Sequence, residues 1–180
     1  MNHLDDYCKC DFFPTEDQIR VIPDFADAEI LRCVTYIPQG VPHHCFDNCS
    51  QLVHEHGGES IDGWRFLLQP WQQTRGFMSV SAHTVWRHPD GTIYDPTPFV
   101  NESGLNVPAD GMPFIADPMS FVTDQRVVPL SGNKELKRFC RRLQVEANQL
   151  VRCMLGTGYG IAATAKAMRV DAMQRIQSQA

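Results

Sequence analysis

The segment Gln39-Gly40-Val41-Pro42-His43-His44-Cys45-Phe46-Asp47-Asn48 passes from a stretch that cannot be helical into one that reads as a helix. Pro38, Gly40 and Pro42 interrupt any regular element ahead of the cysteine. Beyond it, Phe46, Cys49, Leu52 and Val53 recur at helical spacing, and Gly57-Gly58 supplies a stop, so residues 45–56 are predicted to form a helix. Cys45 then falls in the first turn, where unpaired backbone amides and the helix dipole favour a thiolate. It is the candidate nucleophile. Cys49 lies one turn deeper on nearly the same face and competes for that role, but there the terminal amides no longer help and burial raises a thiol's pKa.

A thiolate nucleophile needs a proton acceptor, a group that orients the acceptor, and a donor for the oxyanion. His83 in Ala82-His83-Thr84-Val85-Trp86, Asp95 in Tyr94-Asp95-Pro96-Thr97-Pro98, and Gln39 are residues of the right types. Residues 63–68 and 77–87 read as strands separated by a polar loop over 69–76, Pro89-Asp90-Gly91 as a turn, and 92–95 as a third strand. The turn length decides whether His83 and Asp95 can meet. With a three-residue loop, His88 pairs with Thr92, His83 falls opposite Thr97, and Asp95 lies diagonally beside His83 on one face. A two-residue Asp-Gly loop sends the two side chains to opposite faces.

Outward from this core the pattern is less regular. Residues 1–24 are polar, broken by Pro14 and Pro23, and read as an irregular arm; residues 27–36 fit a helix turning into a strand. Six prolines (Pro96, Pro98, Pro108, Pro113, Pro118 and Pro129) predict a long loop bordering the site, with only 120–128 open to regular structure. Residues 134–155 carry the strongest helical pattern, with Leu136, Phe139, Cys140, Leu143, Ala147, Leu150 and Val151 on one stripe. Gly156-Thr157-Gly158-Tyr159-Gly160 reads as a hinge, since no strand precedes it to support a phosphate loop, and 161–176 as a second helix closing a hairpin. The expected fold is α+β in one domain over 1–180: an arm (1–36), a core (37–130) with the Cys45 helix packed on an antiparallel sheet, and a C-terminal helical hairpin (131–180).

Bulk properties narrow the function classes. The chain has 180 residues, 43% hydrophobic and 21% charged, with net charge -5, and lacks the basic excess of a phosphate-backbone binder. No nucleic-acid partner is expected. No apolar run is long enough for a signal peptide or a membrane span, so no membrane partner is expected and the chain reads as cytoplasmic, with signal-independent export left open. Seven cysteines, an odd number without a compact framework, fit reduced thiols rather than a disulfide scaffold.

The order Gln39, Cys45, His83, Asp95, with Gln39 six positions ahead of Cys45, resembles the papain-like cysteine hydrolases. His83-x-Val85-Trp86 and Asp95-x-Thr97-Pro98 resemble the transglutaminase-like, cell-wall-amidase-like branch of that superfamily. With Cys45-Phe46-Asp47-Asn48, Gly57-Gly58 and Gly63-Trp64, they are also similar to a group of mostly uncharacterised bacterial proteins. The resemblance spans residues 39–98. It implies a papain-like fold and acyl-thioester chemistry on an amide bond of a protein or peptide-like substrate. Cys45 would be the nucleophile, His83 the base, Asp95 its orienting partner and Gln39 the oxyanion donor, with no cofactor or metal. Peptidase, amidase, deamidase and acyltransferase activities share this apparatus. Two rival readings remain: an inactive papain-like binding domain, and a zinc-binding or structural module drawing on Cys8, Cys10, Cys33, His43, His44, Cys45 and Cys49. Their spacing completes no known four-ligand pattern.

Overall fold

In a computed structural model, which describes residues 13–41, 44–71, 74–98, 111–120 and 125–156, the longest strand organises the molecule. The strands are β1 (Leu31–Tyr36), β2 (Glu59–Trp71), β3 (Thr74–Arg87), β4 (Ile93–Asp95), β5 (Met112–Ala116) and β6 (Gln125–Pro129); the α-helices are α1 (Glu16–Arg20), α2 (Cys45–His56) and α3 (Lys134–Gly156). β3 pairs with β2 along one edge and, along the other, with β6 over its first half and β4 at its end. β4 continues to β1, β1 to β5, and β5 back to β2, so five strands close a ring with β6 outside it.

The expected antiparallel sheet is therefore a mixed one. β1 runs parallel to β4, with Val34 opposite Ile93 and Tyr36 opposite Asp95. A parallel pair needs a long connection rather than a hairpin, and here α2, β2 and β3 all lie between the two strands. β1 comes from residues assigned above to the N-terminal arm, yet it sits between β5 and β4 inside the sheet.

Alternation along the strands sorts side chains into two layers. Val34, Val85, Ile93, Met112 and Phe114, from four strands of the ring, meet Phe13 in an interior cluster. On the outer face Trp64, Phe66, Leu68, Met78, Val80, Ala82 and Ile115 pack against Ile19, Ile22 and Phe25 of the N-terminal segment. α2 covers another part of that outer face, with Cys49 and Leu52 against Trp86. α3 buries Leu136 and Cys140 against Phe77, and Gln144 takes up Val127 N–H and Gln125 O of β6. All three tryptophans thus belong to packing clusters, Trp71 lying against Phe139.

Several sequence expectations change. The arm holds α1, started by a capping box in which Thr15 and Gln18 satisfy each other's backbone N–H, and a 3-10 turn at Pro23–Phe25. The 27–36 segment contributes a strand from Leu31 onward and no helix. The proline-rich stretch contains β5 and β6 rather than only loop. Pro113, without an N–H, is tolerated because β1 shifts register opposite it, between Leu31 and Val34. β2 and β3 extend through most of the predicted polar loop, pairing as far as Trp71 and Thr74. α3 matches its prediction, whereas the second C-terminal helix over 161–176 lies outside the described residues. No helix among the described residues is long and apolar enough to cross a membrane.

Candidate active site

The hairpin between β3 and β4 has the three-residue loop. Trp86 faces Tyr94, Arg87 faces Ile93, His88 N–H donates to Thr92 O at 2.9 Å, and Gly91 takes the left-handed conformation at φ 91. This register puts His83 in the same interior row as Val85, and Asp95 in the same row as Ile93. The two side chains meet: His83 Nε2 is 2.7 Å from Asp95 Oδ2. Thr97 N–H donates to the other carboxylate oxygen at 3.0 Å, an Asx turn built into Asp95-Pro96-Thr97. The exposures are 4% for His83 and 0% for Asp95, so the pair is closed to bulk water.

With Nε2 committed to Asp95, the other ring nitrogen is left for Cys45, which is hydrogen-bonded to His83. Cys45 opens α2, where the N-cap His44 provides no side-chain cap, leaving the first-turn amides without that acceptor. His44 instead bonds Asp47 at the surface. α2 reaches His83 because the edge of β3 is interrupted. Between Ser81, the last residue paired with β6, and Trp86, the first paired with β4, that edge has no strand partner among the described residues. Backbone alternation turns the N–H and C=O of Thr84 toward this gap. The N–H meets the Cys45 sulfur, and the C=O accepts from Cys49 Sγ at 3.3 Å.

One backbone residue thereby separates the two thiols. Burial pushes Cys45 up, but the His83 hydrogen bond and charge, the Thr84 amide and the Arg65 charge outweigh it, leaving the thiol below its ordinary value. Cys49 is pushed strongly up, first by burial and then by the nearby Asp95, Cys45 and Asp62 charges, and it uses its proton as a donor. For His83, burial is the largest influence and lowers its pKa, yet Asp95 and Cys45 raise it overall despite Arg65. Asp95 is buried, which raises it, but His83, Arg65 and the Thr97 amide hold it below the ordinary carboxylate value. The Cys45 and His83 shifts run toward each other, the direction that favours a thiolate beside an imidazolium.

Gln39 lies in the loop between β1 and α2. Its N–H donates to Pro96 O at 3.2 Å; its side chain is exposed and makes no hydrogen bond among the described residues. Sequence reasoning gave no role to Thr84, Arg65 or Asn48, although Asn48 stands in the quoted motif. For Thr84 the legible signal was the register itself. Of the rival metal ligands, Cys8, Cys10 and His43 lie outside the described residues, as does the side chain of Cys33. Among the described residues no group of three His, Cys, Asp or Glu side chains is arranged to hold a metal ion.

Comparison with known families, curated proteins and solved structures finds no match. The functional reading of this chain therefore rests on its own residues.

Proposed function

We propose that this chain is a papain-like cysteine hydrolase or acyltransferase acting on the amide bond of a protein or peptide-like substrate. The observation that carries the reading is the buried relay from Cys45, in the first turn of α2, through His83 to Asp95, in which His83 and the Thr84 amide hold the thiol below its ordinary value against burial. Cys45 is the nucleophile, His83 the general base and acid, Asp95 its orienting carboxylate and Gln39 the oxyanion donor.

In the reaction the Cys45 thiolate adds to the carbonyl carbon and the carbonyl π electrons move to oxygen. The Gln39 amide and the first-turn amides of α2 are the donors available to that oxyanion. Collapse expels the amine, which takes its proton from the His83 imidazolium and leaves an acyl thioester on Cys45. Water, or a second amine, then gives its proton to His83 and displaces the thiolate. Asp95 keeps the ring in one orientation and stabilises its cationic form. The Gln39 loop is fastened by its backbone, so its exposed side chain has no holding role to perform. A cytoplasmic setting, where thiols stay reduced, suits this chemistry.

Brief iodoacetamide treatment near neutral pH, followed by mass-spectrometric mapping, tests the assignment. Cys45 is expected to be labelled first, at a rate rising with pH through a value below that of a free thiol, and His83→Ala to slow it at least about tenfold, the effect of one pKa unit. Preferential labelling of Cys49 would move the nucleophile by one turn.

A further inference from the structure

Residues 39–41 are held by backbone contacts to two other segments. The N–H groups of Gln39 and Gly40 both donate to Pro96 O, at 3.2 and 3.1 Å. The next residue is taken up by Asn48 of α2. Asn48 Oδ1 accepts from Val41 N–H at 2.9 Å, and its Nδ2 donates to Val41 O at 2.9 Å and to Thr97 Oγ1 at 3.2 Å. The amide acts as a surrogate peptide group, donating to and accepting from one residue's backbone. It is buried, at 7% exposure.

Gly40 completes the fit for a reason of space. A Cβ there would fall 2.2 Å from Asn48 Cγ, 2.4 Å from Oδ1 and 2.5 Å from Nδ2, an amide that its hydrogen bonds prevent from swinging away. Aspartate at 48 keeps the acceptor and loses both donors; glutamine is a methylene too long; alanine loses all three bonds. Asn48 is also three residues after Cys45 and bonded to the residue two after Asp95. It therefore ties three segments of the site together.

We propose that Asn48 is the positioning residue of this site, locking the 39–41 loop to the Cys45 helix and to the Asp95-Pro96-Thr97 segment so that Gln39 keeps a fixed place relative to the Cys45 sulfur. The proposal rests on the reading of Cys45 and Gln39 given above. Among the described residues the Asn48 side chain hydrogen-bonds only Val41 and Thr97, so it acts through Gln39.

The test uses the full chain with p-nitrophenyl acetate as acyl donor. Release of p-nitrophenolate gives kcat and KM, and iodoacetamide labelling of Cys45 reports the thiolate without any need for an oxyanion donor. Asn48→Ala is expected to lower kcat about 10²-fold, as Gln39→Ala does, with KM and labelling little changed. The double variant is expected to be no slower than the slower single one, because both remove the same contribution. Thr97→Val, which removes one of the three bonds, is expected to give a smaller loss of the same kind and serves if Asn48→Ala does not fold. Labelling that falls in step with kcat, or losses that multiply in the double variant, would overturn the positioning role. A wild-type protein that is alkylated at Cys45 yet forms no acetyl adduct overturns the enzymatic reading, and this proposal with it.

Discussion

His83 and Asp95 are buried together, and each holds the other in its charged form. The consequence for stability follows from the direction of each shift. Asp95 lies below its ordinary 3.8, so its contribution is fully present above 3.8 and is lost as pH falls through the lowered value. His83 lies above its ordinary 6.5, so its contribution is fully present below 6.5 and is lost as pH rises through the raised value. The pair therefore stabilises most between 3.8 and 6.5. Cys45 works in the opposite sense on the alkaline side, its lowered thiol adding stability as it ionises, so the comparison belongs in a Cys45→Ser background. There, urea midpoints measured from acid to alkaline pH should decline above 6.5 with His83 present, and His83→Gln should remove most of that decline. Gln is preferred to Ala because it can still donate to the Asp95 carboxylate. An unpaired buried carboxylate typically costs about 3–5 kcal/mol and would confuse the result.

Among the elements, β2 and β5 meet across Gly63, which stands opposite His83 in the ladder. A Cβ on Gly63 would lie 2.0 Å from Ile115 O and 2.6 Å from the Phe114 ring, so the residue is small because backbone and ring already fill the space. Gly63→Ala should lower stability by about 3 kcal/mol, at the upper end of ordinary overpacking. Gly132→Ala, which meets nothing within 4 Å, should stay within about 0.5 kcal/mol; urea midpoints of the two variants give the comparison. The elements differ in how much of themselves they wrote into the sequence. α2 was legible because period, glycine stop and forbidden run agreed. The β3–β4 register was narrowed to two outcomes by a side-chain period of two, and the choice between them came from the structure. β5 was hidden because Pro113 argues against a strand unless the partner's irregularity is known, and that irregularity is a property of β1. The polar ends of β2 and β3 are ordered by each other rather than by their own composition. The α1 capping box, Thr15 to Gln18, was readable as a local pattern and was missed.

At the scale of the whole molecule, the cluster under α3 and the candidate site share no residue. Leu136 is almost fully buried against Phe77 and Cys140. Leu136→Ala should destabilise the protein by about 2–5 kcal/mol, the range for emptying such a position. Cys45 labelling under native conditions should keep its wild-type rate, whereas a matched slowing would tie α3 to the site. The ring closure was not legible, since no local pattern announces that β1 will run parallel to β4. That closure also bears on timing. Pairing Val34 with Ile93 and Gly63 with Ala116 brings together residues far apart in the chain, contacts that form slowly because so much intervening chain must be gathered first. The β3–β4 hairpin can bring Asp95 to His83 by itself, but until α2 is drawn onto β3, Cys45 is away from His83 and Thr84 and is one thiol among seven. A chain in which α2 has not yet docked on β3 therefore has nothing that sets Cys45 apart from its other thiols, and the distinction arrives with that docking.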